Sequence, residues 1–247
     1  KTTAVIMESY QPEERHAIPA IGFCPQTRVT TGTTLIAMEF DGGVVVGTDS
    51  RTSAGQMVVS RVTNKITPIT DRLVVCRSGT SADTQAIADI VKYQIEAFSM
   101  LEGERLSVFR SAQIFRQFLY EYRESLGASV IVAGYDEKEG GQIYAIPMGG
   151  LVTRQRTTAS GSGSTYVSGF LSEVWKPNMT KEECVAAVKK AVFHAVSLDG
   201  SSGGVIRIGV VTAEGTAISL HRADDGGFPT VHTPKPYPTY SKHITCE

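Results

Sequence analysis

Thr33-Thr-Leu-Ile-Ala-Met-Glu-Phe40, Asp41-Gly-Gly43 and Val44-Val-Val-Gly-Thr48 form the stretch on which the fold turns. Two runs rich in β-branched and apolar residues flank a glycine-containing turn, the pattern of a β-hairpin. Further short runs at Met57–Val59, Val62–Ile66 and Arg72–Cys76 predict that an antiparallel sheet grows from this hairpin. Upstream, Pro12, Pro19 and Pro25 interrupt residues 1–32, which show no sustained period and are expected to form a leader outside the fold.

Downstream the period changes. Ala82, Ala86, Ile87, Ile90, Val91, Ile95 and Phe98 recur at spacings of three and four, which predicts an amphipathic helix. A second helix carries Val108, Ile114, Phe115, Phe118, Leu119 and Tyr122, with its end expected at Gly127. Strand character returns at Val130–Ala133, Gln142–Ile146 and Leu151–Thr153. Thr180 followed by Glu183 makes a capping box for a helix striped by Val185, Val188, Ala191, Val192 and Ala195 and ending at Asp199-Gly200. Val205–Val211 and Ala217–Leu220 close with a last hairpin. Grouped strands and grouped helices, without β-α alternation, indicate an α+β domain of two stacked antiparallel sheets with helices outside. It is expected to span residues 33–222, with residues 223–247 a proline-containing tail.

The 247 residues carry 24 Lys+Arg against 25 Asp+Glu, a formal charge of -1, so no electrostatic footprint for nucleic acid or an anionic membrane is visible. No apolar run approaches the ~20 residues needed to span a bilayer, and Glu8, Glu13, Glu14 and Arg15 fall where a signal peptide needs apolar residues. A protein of cytoplasm and nucleus is expected. Cys24, Cys76, Cys184 and Cys246 make no CxxC pair, and the histidines lack metal-ligand spacing, so neither a disulfide framework nor a metal site is expected.

Gly200-Ser-Ser202-Gly-Gly204 fits G-x-S-x-G, with Asp224 and His232 downstream, but a nucleophile elbow needs a strand before the serine and a helix after it. Here a helix precedes and a strand follows. Thr33 stands at the start of the first strand. A threonine hydroxyl is a poor nucleophile unless a base sits beside it, and one available base is its own α-amine, whose pKa of roughly 7.7–8.0 suits the task. That chemistry requires the chain to begin at Thr33, hence scission after Gly32. On Gly32-Thr33 alone, a strand that merely begins with threonine is the commoner reading.

The wider sequence resembles the proteasome beta subunits, N-terminal-nucleophile hydrolases, over about residues 32–222. The carriers are Gly32–Arg51, Arg61-Val-Thr-Asn-Lys65, Cys76-Arg-Ser-Gly79, Gly161-Ser-Gly-Ser164 and Asp199-Gly-Ser-Ser-Gly-Gly204. The resemblance implies a four-layer αββα sandwich and a threonine endopeptidase made as a self-cleaving precursor, with Gly32 and Thr33 the processing site. It implies Thr33 as nucleophile, Asp49 and Lys65 as its charged partners, the Gly79 amide as oxyanion donor, and Ser162, Asp199 and Ser202 as a second polar set. Arg77 falls where the caspase-like beta type 1 class places a positive charge that selects acidic side chains, and Cys76-Arg-Ser-Gly with Ala82-Asp-Thr-Gln85 is similar to that class. Ser53, Thr63 and Ser81 fall at positions lining substrate or pocket, with Thr52 and Thr67 nearby. Ser53 and Ser81 stand where relatives usually carry Thr and Ala. No metal or organic cofactor is implied. The implied partners are alpha and beta subunits in stacked heptameric rings, and the substrate is unfolded polypeptide. Two alternatives stay open: an unprocessed precursor or silent ring member with an assembly role, and a self-processing amidohydrolase acting alone.

Overall fold

The computed structural model describes residues 32–224 together with Gly226 and Phe228. The expected leader, apart from Gly32, and the tail beyond Phe228 lie outside the described residues.

The hairpin forms as its sequence requires. Strands β1 (Leu35–Phe40) and β2 (Gly43–Thr48) pair antiparallel, with Leu35 opposite Thr48 and Phe40 opposite Gly43. β3 (Thr52–Ala54) and β4 (Met57–Ser60) make a small two-stranded sheet. β5 (Ile66–Thr70) and β6 (Leu73–Gly79) lead into helices α1 (Ser81–Glu102) and α2 (Val108–Glu121). β7 (Ala128–Asp136), β8 (Gly140–Ile146), β9 (Thr153–Arg154) and β10 (Thr157–Ser160) follow. A 3₁₀ turn at Ser162–Tyr166, α3 (Ser168–Val174), α4 (Lys181–Leu198), β11 (Ile206–Thr212) and β12 (Gly215–His221) complete the order.

The strands assemble into two five-stranded antiparallel sheets, β10-β1-β2-β11-β12 and β5-β6-β7-β8-β9. The central strands of both sheets are buried on both faces, which is why their runs are continuously apolar rather than alternating. Leu35, Ala37, Val44 and Val46 pack with Val74, Cys76, Ile131, Ala133 and Ile143 between the sheets. Their strand neighbours Ile36, Met38 and Val45 turn the other way, onto Val188, Ala191 and Val192 of α4. Val75, Val130 and Val132 likewise face Ile87, Val91 and Phe115 of α1 and α2. Side chains alternate across a strand, so one continuous apolar run serves two cores. The result is the expected four-layer α/β/β/α sandwich, an α+β N-terminal-nucleophile hydrolase fold.

Several local expectations need correction. Residues 61–65 are a bend and irregular chain, not the start of a strand, and β5 begins only at Ile66. Their backbone groups go elsewhere: Thr63 N–H donates to Ser50 O at 3.0 Å, while Arg207 donates to Thr63 O and Val62 O, each at 2.9 Å. The Leu151–Thr153 run reduces to β9, the second helix ends at Glu121 rather than Gly127, and β3, β10 and α3 carry no periodic signal long enough to reveal them. The box at the start of α4 forms as expected, with Glu183 N–H donating to Thr180 Oγ1 at 3.3 Å and Thr180 N–H donating to the Glu183 carboxylate at 2.9 Å.

Candidate active site

Hairpin register brings the first two site residues together. Because Leu35 faces Thr48, the residues before β1 and after β2 leave the same end of the sheet. Thr34 N–H donates to Asp49 Oδ1 at 2.9 Å, and Asp49 N–H donates to Thr34 O at 3.2 Å. In the second sheet Ile66 pairs with Cys76, and Arg77 N–H donates to Lys65 O at 3.0 Å, so Lys65 and Arg77 emerge side by side. β10 pairs with β1 and delivers Ser162 just beyond Ser160, while α4 ends at Leu198 and hands over Asp199 and Ser202. All seven residues of the expected catalytic set thus meet at one end of the sandwich, with Gly79 at the end of β6.

Lys65 Nζ has three protons and three acceptors. It lies 2.7 Å from Asp49 Oδ1, 3.1 Å from Thr33 Oγ1 and 3.1 Å from Gly32 O. Thr33 Oγ1 itself donates to Gly32 O at 2.7 Å. Asp49 is fully buried, and its other oxygen accepts from the backbone N–H groups of Gly203 at 3.0 Å and Arg51 at 3.1 Å. Burial pulls the Lys65 ammonium below the usual lysine value, against the Asp49 carboxylate, which holds it up. A lysine of lowered basicity at hydrogen-bond distance is suited to donating toward a threonine oxygen.

The second polar set is a directed chain. Ser162 and Ser202 both donate to Asp199 Oδ2, at 2.7 and 2.6 Å, and Ser201 N–H donates to Oδ1 at 3.0 Å. With its proton on Asp199, Ser162 Oγ accepts from Thr33 N–H at 3.1 Å. Burial alone would raise the Asp199 carboxyl, but these donors and the charge of Lys65 together hold it below the usual range. Thr34, which drew no attention in the sequence, is fully buried with its hydroxyl 2.7 Å from Ser202 Oγ and extends the chain. Two glycines are obligatory here. Gly161 has φ +87°, and a Cβ on it would lie 2.2 Å from Thr33 O; Gly79 has φ +104°, and a Cβ would lie 2.0 Å from Gly127 O.

A small pocket opens beside Thr33, lined by Thr52, Thr63, Lys65, Arg77, Gly79 and Ser81. Arg77 crosses it partly buried. Its Nε donates to Thr67 Oγ1 at 2.8 Å, one terminal nitrogen to Asn64 O at 3.0 Å and the other to Thr84 Oγ1 at 3.4 Å. All three acceptors are neutral, and Arg77 forms no salt bridge with a carboxylate among the described residues. Thr67 therefore holds the guanidinium. Ser53 is buried in β3 and lies outside the lining, because adjacent strand residues turn to opposite faces and Thr52 takes the pocket side. Asn64, Thr84 and Gln85 join the lining unannounced, although each sits in a segment that carries the family resemblance. A larger groove between α3 and α4, lined by Phe170, Val174, Met179 and Lys190, contains none of these residues.

Gly200–Gly204 falls between α4 and β11, the wrong order for a nucleophile elbow. Among the described residues no group of three or more His, Cys, Asp or Glu could hold a metal ion, and no helix is long and apolar enough to cross a membrane. Cys76 and Cys184 are buried thiols, each pushed up to about 12 by burial.

Comparison with known proteins gives the family. The proteasome subunit family model matches residues 29–211. The beta type-9 proteasome subunit of Mus musculus bactrianus is 47% identical over 201 residues, covering 81% of this chain and 91% of the relative. The human beta type-9 subunit is 47% identical over 187 residues, covering 76% and 85%, and the Arabidopsis thaliana beta type-6 subunit 44% over 193 residues, covering 78% and 83%. A site built on a threonine at the mouth of an α/β/β/α sandwich, and likeness along most of the chain to beta subunits, lead to one conclusion: this chain belongs to the proteasome subunit family, as a beta subunit of the core particle.

Proposed function

We propose that the chain is an active, caspase-like threonine endopeptidase of the beta type 1 class, cleaving after acidic residues and made as a precursor that cuts itself between Gly32 and Thr33. The observation that carries it is the Lys65 ammonium 3.1 Å from Thr33 Oγ1, with the buried Asp49 carboxylate 2.7 Å behind it. In the precursor the Thr33 oxygen attacks the Gly32 carbonyl, whose oxygen accepts from Lys65. The bond to nitrogen breaks, the hydroxyl proton passes to that nitrogen, and water hydrolyses the resulting ester. The freed amine then serves as base. It takes the Thr33 proton as the oxygen attacks a substrate carbonyl, gives it to the leaving amine, and activates the water that releases the acyl group.

Each neighbour has a part in this reading. The Gly79 backbone stabilises the oxyanion, and Ser162 Oγ accepts a hydrogen bond from the Thr33 nitrogen so that its lone pair is aimed. Arg77, held by Thr67, pairs with an acidic side chain in a pocket walled by Thr52, Thr63 and Ser81, with Ser53 supporting β3 from behind. Stacked heptameric rings of alpha and beta subunits, in cytoplasm and nucleus, would confine the work to unfolded chains. Before scission the Thr33 nitrogen is an amide and cannot act as base, so the precursor is silent and serves assembly.

The test is the purified core particle. A chain whose N-terminus is Thr33, with hydrolysis of an acidic fluorogenic peptide lowered at least about a thousandfold by Thr33→Ala, is expected. Undiminished hydrolysis in the Thr33→Ala particle would overturn the assignment.

A further inference from the structure

A second hydroxyl cluster lies directly under the site, and the mechanism above does not use it. Ser78 of β6 and Ser129 of β7 are cross-strand partners in the second sheet, both buried, with their oxygens 2.6 Å apart. Ser160, the last residue of β10, reaches across from the first sheet, 3.1 Å from Ser129 Oγ and 3.4 Å from Ser78 Oγ. The three oxygens close a triangle between the sheets. The middle of that gap is apolar: Cys76, two residues before Ser78, and Ile131, two after Ser129, belong to the inter-sheet core. The core gives way to hydroxyls at the end where Thr33 sits.

Two of the three serines immediately precede backbone that shapes the site. Ser78 is followed by Gly79, and Ser160 by Gly161 and Ser162, whose backbone and side chain approach Thr33. Apolar contact between sheets is non-directional and tolerates small slides. Hydrogen bonds at 2.6 and 3.1 Å are directional, and each serine offers one donor and two acceptor sites, enough to satisfy the triangle internally. Acyl transfer, in turn, is sensitive to displacements of well under an ångström between nucleophile and oxyanion donor.

We propose that Ser78, Ser129 and Ser160 are positioning residues that lock β6, which ends in Gly79, against β10, which leads into Ser162, fixing the distance between oxyanion site and Thr33. Ser129 is the hub, since it makes the two shorter contacts. This rests on the proposed threonine-protease function. Removing one neutral hydrogen-bonded hydroxyl from such a hub lowers kcat in the assembled particle about three- to tenfold, with KM within about twofold.

The experiment compares Ser129→Ala, Ser129→Thr and Thr33→Ala particles, with kcat counted per site titrated by an irreversible epoxyketone. A peptide aldehyde, which forms a tetrahedral adduct with the nucleophile, is expected to lose affinity in Ser129→Ala by the same factor as kcat/KM, and Ser129→Thr to recover both. Ser129→Ala with wild-type kcat per titrated site overturns the inference, whatever happens to particle yield. If Ser129→Ala does not assemble, Ser160→Ala at the partly exposed corner carries the same expectation and the same refutation. Hydrolysis retained by Thr33→Ala overturns the underlying function instead, so the two failures are distinguishable.

Discussion

Arg77→Met removes the guanidinium while keeping an unbranched side chain of similar reach, and it isolates the charge that sets specificity. A carboxylate about 4 Å from a guanidinium gains roughly 4 kcal/mol at an effective dielectric constant near 20. Arg77 is only partly buried, and an incoming carboxylate must shed water, so the net value lies nearer the ~1.5–3 kcal/mol of a hydrogen bond to a charged group. The neutral acceptors Thr67, Asn64 and Thr84 lose a donor, but Asn64 is exposed and Thr67 partly so, and water replaces the arginine there. About 2–3 kcal/mol, at 1.36 kcal/mol per factor of ten, becomes a loss of about 30- to 150-fold in kcat/KM for a peptide with glutamate before the cut. The assay is hydrolysis by the assembled particle of two fluorogenic peptides, differing only in glutamate or leucine at that position, normalised to titrated sites. The acidic peptide is expected to lose its advantage mainly through KM, with hydrolysis of the leucine peptide held or raised. A loss below threefold on the acidic peptide would refute the reasoning, because the guanidinium would then not face the substrate side chain.

Other perturbations probe the frame around this pocket. Lys65→Met strands the fully buried Asp49 carboxylate without its counter-ion, so the subunit should lose ~3–5 kcal/mol of stability, seen as failed assembly or a lowered unfolding midpoint, along with activity. Phe115→Ala empties the centre of the layer between α2 and the second sheet and should cost ~3–5 kcal/mol, measured by denaturant unfolding, without shifting substrate preference. The Asp199 carboxyl titrates below its unfolded value of about 3.9, so its stabilisation is complete above that pH and is lost as pH falls through the lowered folded value. The stability gap between wild type and Asp199→Asn should therefore stay constant from about pH 7 to 5 and shrink below pH 4 in acid-unfolding curves.

The architecture was legible because its signals are local. The short apolar and β-branched runs Leu35–Met38 and Val44–Val46, helical spacing in α1 and α4, and the Thr180–Glu183 box each depend on residues a few positions apart. Where a segment's bonds are long-range, sequence misled. Val62–Ile66 has β-branched composition, but its carbonyls are taken by Arg207 from β11, so chain that would suit a strand bends to deliver Thr63 and Lys65. β10 has only four residues, too few for a period to register.

Layers, the turn between β1 and β2, and the residue types available for threonine chemistry can be read along the chain, since propensity and hydrophobic periodicity are properties of neighbouring residues. Which of those residues meet is settled in three dimensions. Thr33 touches Lys65 across 32 positions and Ser162 across 129, and Arg77 is held by Thr67 beside a pocket whose described lining residues include no carboxylate. Such contacts depend on the register of strands in two sheets and on how those sheets stack. Neither is written in any short window, because the bonds that fix them join segments that folding alone brings together.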